Sequence, residues 1–244
     1  MRSLLSAAAL ALAAAPLSAY ACSVAAGYRV PTNMELVESA DLILLGTVTA
    51  GESDDAGQQM VAIEPVEALM GAMPSAPIAL PAMIATDDTA RLSNPYELEE
   101  AHPQSLAGAC VRYIFPRGSR VLFFLDREDG DWQVSGGPFS RWAEDVLTDD
   151  APWLQAVRFY AAVAKLPEAE RAAALAARRE ELAAIDDDPV AQLIAADIGR
   201  QLEGPNAPLR DELPPPDDAA DSAADAAADA ADAAPEPDSS GPEA

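Results

Sequence analysis

The stretch Val121-Leu122-Phe123-Phe124-Leu125 decides the fold of this chain. Five consecutive apolar residues, most of them β-branched or aromatic, predict a strand that is buried on both faces. The turn residues Asp129-Gly130-Asp131 follow, and Trp132-Gln133-Val134 comes next, which is the pattern of a β-hairpin. The middle of the chain is therefore predicted to be built around a mainly antiparallel sheet.

Three further strands are predicted upstream of this hairpin. The segment 41–49 reads as a buried strand that becomes half-exposed, with Gly46 where a bulge or bend could sit. The segment 59–70 carries Pro65, which has no N–H to donate and therefore requires a sheet edge or a bulge. The segment 78–84 is a third strand, interrupted by Pro81.

Helices are predicted on both sides of the β region. Thr32 or Asn33 can cap a short helix before the first strand. After residue 148 the apolar period becomes helical, with Asp149 or Asp150 as a cap and one inward face made by Trp153, Leu154, Val157, Tyr160 and Ala161. A second helix begins at Pro167, and a third begins at Asp188-Pro189 and ends at Gly204.

The amino terminus predicts export. Met1-Arg2 is followed by an Ala/Leu run and then by Ala19-Tyr20-Ala21, the small-x-small pattern of a signal-peptidase site. Residues 1–21 are therefore predicted to be a cleaved signal peptide, and the mature protein to be periplasmic or secreted. Cleavage after Ala21 makes Cys22 the first mature residue, so an acylated lipoprotein anchored at Cys22 is the second interpretation. No later apolar stretch is long enough for a transmembrane span.

The carboxyl end is acidic and contains little that could be buried. Residues 211–244 hold eleven acids and no base, out of a formal net charge of −26 for the chain. Residues 205–244 are predicted to be a disordered Ala/Asp/Pro-rich tail. The overall charge argues against nucleic acid as a partner.

Two cysteines, Cys22 and Cys110, are present. Outside the cytoplasm such a pair usually forms a disulfide, which predicts a Cys22–Cys110 bridge. Two alternatives stay open: Cys22 acylated with Cys110 free, or pairing between molecules.

The residues that could support catalysis are few. His102 is the one histidine and is predicted to be a solvent-exposed loop residue, so neither a zinc signature nor a Ser-His-Asp triad is formed. The carboxylate pairs Asp87-Asp88 and Glu99-Glu100 are interpreted as loop solvation. The aromatic residues around Gly136-Gly137-Pro138 are interpreted as core packing in preference to a ligand platform: Trp132, Phe139 and Trp142. We expect neither an enzyme nor a metal or cofactor site.

The order of several loose motifs is similar to a known family. A cysteine at the mature terminus precedes a short helix that ends at Ala40-Asp41. The motifs that follow are Leu44-Leu45-Gly46-Thr47-Val48, Val66-Glu67-Ala68-Leu69-Met70-Gly71, Cys110, Phe115-Pro116-Arg117-Gly118 and Val121-Leu122-Phe123-Phe124. This order resembles the netrin-like (NTR) domains and the amino-terminal domain of tissue inhibitors of metalloproteinases, including their bacterial relatives.

The resemblance spans roughly residues 22–140 and implies a five-stranded OB-like barrel, so residues 22–147 are predicted to be the barrel domain. The helical segment predicted over 148–204 and the acidic tail lie outside the resemblance. In the inhibitors the disulfide-bonded terminal cysteine grips a protease's catalytic zinc through its α-amine and carbonyl, and a small hydroxyl residue comes next. The resemblance places these roles on Cys22 and Ser23. The inhibitors have a further cysteine where this chain has Val24.

Two functional hypotheses follow. The first is an exported, non-catalytic binding module, with inhibition of a zinc metalloprotease as its specific form. The second is a structural or assembly protein of the bacterial cell envelope, with the helices and the tail as interaction surface and Cys22 as a lipid anchor.

Overall fold

A computed structural model of the chain describes residues 24–53, 57–85, 92–94 and 97–210. The predicted order of a β region followed by helices is confirmed. The elements are α1 (Asn33–Ser39), β1 (Leu42–Ser53), β2 (Gln59–Met70), β3 (Ile78–Pro81), β4 (Met83–Ile84), β5 (Ile114–Phe115), β6 (Arg120–Glu128), β7 (Asp131–Val134), β8 (Ala143–Asp145), α2 (Pro152–Ala164), α3 (Glu168–Ala183) and α4 (Pro189–Glu203).

Six strands form one antiparallel sheet in the order β3-β2-β1-β6-β7, with β8 also paired to β6. The strands β4 and β5 form a separate, parallel pair. The edge strands β3 and β7 approach each other, but no hydrogen-bonded ladder joins them. The expectation of a closed five-stranded barrel is therefore wrong in its finer part, because the sheet is open between β3 and β7.

The arrangement of β7 and β8 explains why the sheet does not close into a barrel. Strands β7 and β8 pair with successive parts of β6 along the same edge, so they are two halves of one strand. The chain leaves the sheet between them over residues 135–142, which we call the strand excursion. The β7 half is therefore only four residues long. On the opposite edge, Pro81 at the end of β3 has no N–H to offer. Neither edge strand therefore offers a long row of backbone hydrogen-bonding groups that could close the sheet into a barrel.

Gly46 and Pro65 lie opposite each other in the β1–β2 pair, beside a shift in register. A Cβ at Gly46 would lie 2.4 Å from the Ile63 side chain, so only glycine fits this close approach. The predicted bulge is thus present. Val66, the residue skipped in the pairing at this shift, is half-exposed.

Strand β6 places a buried aromatic side chain on each face of the sheet. The Phe123 ring centroid lies 5.8 Å from that of Phe115 and 6.0 Å from that of Trp142, inside the curled sheet. The adjacent Phe124 ring faces the other way, and its centroid lies 5.8 Å from that of Trp153 on α2. The helical segment therefore packs directly on the sheet.

Two of the three predicted side-chain caps are present. Thr32 forms a capping box with Glu35 at the start of α1, and the Asp188 carboxylate accepts hydrogen bonds from two backbone N–H groups at the start of α4. The predicted cap of α2 is wrong, because Ala151 occupies that position and no side chain caps it. Asp149 instead pairs with Arg120 on the sheet.

Candidate functional site

The amino-terminal segment, residues 24–32, is fixed to two distant parts of the chain. The Tyr28 hydroxyl donates to the carbonyl oxygen of Pro138 over 2.6 Å, within the strand excursion. Gly27 N–H donates to the Arg210 carbonyl over 3.1 Å, and Leu209 N–H donates to the Tyr28 carbonyl over 2.9 Å. Residues 205–210, which the sequence placed in the tail, thus lie against the amino-terminal segment.

Backbone conformations that suit glycine shape the strand excursion. Gly136 and Gly137 have φ of 77° and 68°, and Phe139 has 59°. A Cβ at Gly136 would lie 2.6 Å from the Leu36 side chain and 2.9 Å from Ser140 Cβ. Because both conformation and space exclude a side chain at Gly136, the excursion keeps one shape against helix α1.

Cys110 is attached to the same excursion. It follows an irregular helical turn, Ser105–Ala109, and has a left-handed φ of 64°. Its carbonyl oxygen accepts a hydrogen bond from Phe139 N–H over 2.6 Å, and the residue is 3 % exposed. The described part of the chain contains no free cysteine. Cys22 and Ser23 lie outside the described residues, so their pairing and zinc-contacting roles stay predictions.

His102 is buried, and the expectation of a solvent-exposed histidine is wrong. It is 1 % exposed, and its Nε2 lies 3.6 Å from Oδ2 of Asp145. Its Nδ1 accepts a hydrogen bond from Gln104 N–H over 3.2 Å, which leaves the proton of a neutral imidazole on Nε2, facing the carboxylate. The His102 side chain therefore belongs to the core, although other residues of its loop are exposed.

Asp145 is the centre of a buried cluster that the sequence analysis missed. Arg112 Nη2 donates to Oδ1 over 2.9 Å, and Ser93 N–H donates to Oδ2 over 2.8 Å. Burial alone would raise the pKa of Asp145, but the His102 side chain and the Arg112 guanidinium more than offset it and hold the pKa below the ordinary value. This cluster joins the 92–112 region to β8, and both of its charged side chains, Arg112 and Asp145, are buried.

A second buried carboxylate, Asp197, lies on α4. Tyr160 Oη donates to its Oδ2 over 2.5 Å, and Asn33 Nδ2 donates to its Oδ1 over 2.9 Å. Arg200 Nη2 also donates to Oδ1, over 2.6 Å. Burial raises the pKa of Asp197 despite these donors, and burial beside that carboxylate raises the pKa of Tyr160. This cluster ties α1, α2 and α4 together.

Beside Asp197 a cavity of about 530 Å³ opens between the amino-terminal segment, the 98–106 region and the end of α4. We call it the Asn33 cavity. Four apolar residues line this cavity: Leu98, Leu106, Phe139 and Leu209. Glu99 and Glu100 also line it. Pockets of this size with apolar walls and a few polar groups are typical binding sites.

The remaining predicted candidates are dispersed. Asp87-Asp88 lies outside the described residues, and Glu99-Glu100 lies at the Asn33 cavity. Of the three aromatic residues near the strand excursion, Trp142 packs in the core as expected. Trp132 stacks on Arg127 with the guanidinium carbon 4.7 Å from the ring centroid, and Phe139 lines the Asn33 cavity.

Among residues 24–53, 57–85, 92–94 and 97–210, no group of three or more His, Cys, Asp or Glu side chains could hold a metal ion. Within the same ranges, no helix has the length and apolar character needed to cross a bilayer.

No protein-family model matches the chain, and no curated protein matches its sequence.

Proposed function

We propose that this chain is an exported binding module without catalytic activity, which engages a protein partner through its mature amino terminus. The proposed partner class is a zinc metalloprotease. Cys22 and Ser23 are the contacting residues, and a Cys22–Cys110 disulfide holds them in place.

The observation that carries the proposal is the convergence of two segments on the strand excursion. Tyr28 is hydrogen-bonded to Pro138, and the next residue, Phe139, is hydrogen-bonded to Cys110. Cys22 lies six residues before Tyr28, which gives it a maximum reach of about 20 Å from that anchor. A bridge to Cys110 is therefore compatible with the described geometry, and it would fix a short terminus on a rigid support.

The chemistry of the first residue suits zinc. An α-amine has a reference pKa of about 7.7–8.0 and so loses its proton at little cost near neutral pH. A neutral amine is a good ligand for Zn²⁺, which prefers nitrogen and sulfur donors. Holding that amine in position before binding reduces the entropy lost on association.

The first experiment is the intact mass of the protein secreted by a bacterial host, after alkylation of free thiols. We expect a mature chain that starts at Cys22, lacks two hydrogens and carries no alkyl group. Added acyl mass at Cys22 would instead support the envelope lipoprotein and overturn the binding-module proposal. Two alkylated thiols would remove the bridge on which the terminus depends.

The second experiment titrates a panel of zinc metalloproteases with the mature protein. We expect inhibition of at least one protease that is lost when the α-amine is acetylated. The matched control is acetylated at Lys165, the one lysine of the chain, with a free α-amine. Equal potency after α-acetylation, or no inhibition at micromolar concentration, contradicts the protease assignment.

A further inference from the structure

The chain that follows α4 returns to the amino-terminal segment. Residues 204–210, which we call the strap, form three hydrogen bonds with that segment. The bonded pairs are Asn206 Nδ2 with the Val30 carbonyl (2.9 Å), Leu209 N–H with the Tyr28 carbonyl (2.9 Å) and Gly27 N–H with the Arg210 carbonyl (3.1 Å). The strap therefore runs beside residues 27–30.

The amino-terminal segment depends on this pairing. Within the described chain, every backbone–backbone hydrogen bond that residues 24–31 form beyond their own segment goes to the strap. None of these residues is buried, so apolar packing does little to order them. Their other attachment to a distant element is the Tyr28 hydroxyl, which is bonded to the strand excursion. Loss of the strap would therefore leave the segment held by one side chain.

The strap itself is held by little else. Residues 205–210 are all exposed. Asn206, Ala207 and Leu209 line the Asn33 cavity, so they face open space in place of core side chains. Segments with few buried contacts open at a low free-energy cost, which lets the strap detach while the sheet and the helices stay folded.

Gly204 sets the direction in which the strap leaves α4. Its φ of 98° and ψ of −160° lie in a region that essentially only glycine adopts. A Cβ at this position would have no atom within 4 Å, apart from its chain neighbours, so the backbone conformation and not a lack of space requires glycine. An alanine here should redirect the strap without creating a clash.

We propose that the strap is a detachable positioning element for the mature amino terminus: when paired it orders residues 24–30, and when detached it releases them. Its effect on a protease rests on the proposed function above, because an ordered terminus loses less entropy on association. The ordering itself does not rest on that function, because the pairing is defined by residues 27–30 and 206–210 alone.

Two glycine substitutions in the full mature chain test the hinge. Gly204→Ala should raise the amide hydrogen-exchange rates of Gly27 and Leu209 at least about fivefold, because each N–H loses its acceptor. The control is Gly199→Ala within α4, where a Cβ would make an ordinary contact of 3.9 Å with Arg179 Cδ. It should leave both rates unchanged. Equal rates in the wild type and in Gly204→Ala would overturn the proposal.

Two substitutions at Leu209 test the backbone pairing. Leu209→Pro removes the N–H that donates to Tyr28, whereas Leu209→Ala keeps it and removes a half-exposed side chain. We expect the exchange of Gly27 N–H to rise at least about fivefold with proline and to stay unchanged with alanine. Equal effects would contradict the pairing. Urea midpoints of all four variants should stay close to that of the wild type, and a global loss of stability that accounts for the faster exchange would refute a positioning role.

Titration of a zinc metalloprotease that the wild-type chain inhibits gives the functional readout. Gly204→Ala should raise the inhibition constant at least about fivefold, because the terminus must then be ordered on binding, and Gly199→Ala should leave it unchanged. Faster exchange in Gly204→Ala with unaltered inhibition would contradict the positioning of the terminus for a protease. Absence of inhibition by the wild type would instead remove the proposed function, and the exchange rates alone would then decide whether the strap orders the segment.

Discussion

Two buried aspartates in this molecule have opposite acid–base properties. Asp145 is 4 % exposed and has a lowered pKa, whereas Asp197 is 0 % exposed and has a raised pKa. The Asp145 carboxylate faces Arg112, whose side chain is wholly buried, while Asp197 faces Arg200, whose side chain is 32 % exposed. The other donors of Asp197, from Tyr160, Asn33 and Gln201, are neutral.

The comparison shows that burial alone does not set the charge of a buried acid. At Asp145 the hydrogen bond with His102 and the desolvated Arg112 cation together stabilise the carboxylate, whereas at Asp197 neutral donors and a solvent-screened cation do not fully offset desolvation. The Asp145 cluster thus behaves as an ion pair inside the core, and the Asp197 cluster as a hydrogen-bond junction between helices.

The largest effect is expected from D145N. The amide cannot neutralise Arg112, so a buried guanidinium is left without a counter-charge, which costs about 3–5 kcal/mol in the free energy of unfolding. Urea denaturation measures it. D149N, which removes an acid that pairs with Arg120 at the surface, is the control and should change stability little. Equal losses for the two variants would contradict the buried ion pair.

D197N should lower the free energy of unfolding by less than D145N does, by about 1–3 kcal/mol. The Tyr160 hydroxyl can rotate to accept a hydrogen bond from the new amide, and Arg200 can turn to Glu99 and to solvent, whereas Arg112 has no such alternative. Urea denaturation beside D145N gives the comparison directly. A loss for D197N as large as that for D145N would show that Asp197 is also held by its cation.

Y160F should cost about 1 kcal/mol, because it removes one hydroxyl and leaves Asp197 with its other donors. Thermal unfolding followed by circular dichroism can resolve this change. The loss should shrink when the substitution is made in D197N, since the two groups share one interaction. Additive losses in the double variant would mean that the Tyr160–Asp197 bond contributes nothing.

The smallest effect, and the one that distinguishes the two acids best, is their dependence on pH. Asp145 has a folded pKa below its ordinary value of 3.8, so its contribution is present above that value and is lost as pH falls through the folded pKa. The stability difference between wild type and D145N should therefore shrink below pH 3.8.

Asp197 has the opposite sign. Its folded pKa lies above 3.8, so the folded state takes up the proton more readily and its contribution is lost as pH rises through the folded pKa. The difference between wild type and D197N should therefore grow on acidification. Denaturation series across this range measure both differences, and changes of the same sign would contradict the assigned directions.

Local signals in the sequence predicted much of the fold. The apolar run 121–125, the turn at Asp129-Gly130 and the cap at Asp188 each act through neighbouring residues, and each is present as expected. The open sheet was not predicted, because the strand excursion interrupts a strand whose two halves share one partner. Nothing within β7 or β8 alone encodes that shared pairing.

Less of the candidate site than of the fold could be predicted from the sequence. The residues of the Asn33 cavity and of the two aspartate clusters come from segments far apart in the chain, and only tertiary structure joins them. The prediction for His102 was wrong for the same reason: its polar neighbours indicate an exposed loop, whereas the distant Asp145 lies beside its buried side chain. The one sequence feature that could have indicated the Asp145 cluster is the acidic pair Glu144-Asp145, which directly follows the apolar pair Trp142-Ala143.

The pairing of Gly27 and Tyr28 with Leu209 and Arg210 has a topological consequence. The two ends of the described unit are neighbours, so a short linker could join them without crossing the molecule. New termini placed at the Asp129-Gly130 turn would then separate β6 and β7 in sequence while leaving every strand partner in place. The fold therefore does not depend on the natural order of the elements along the chain, and a circular permutant should reach the same fold.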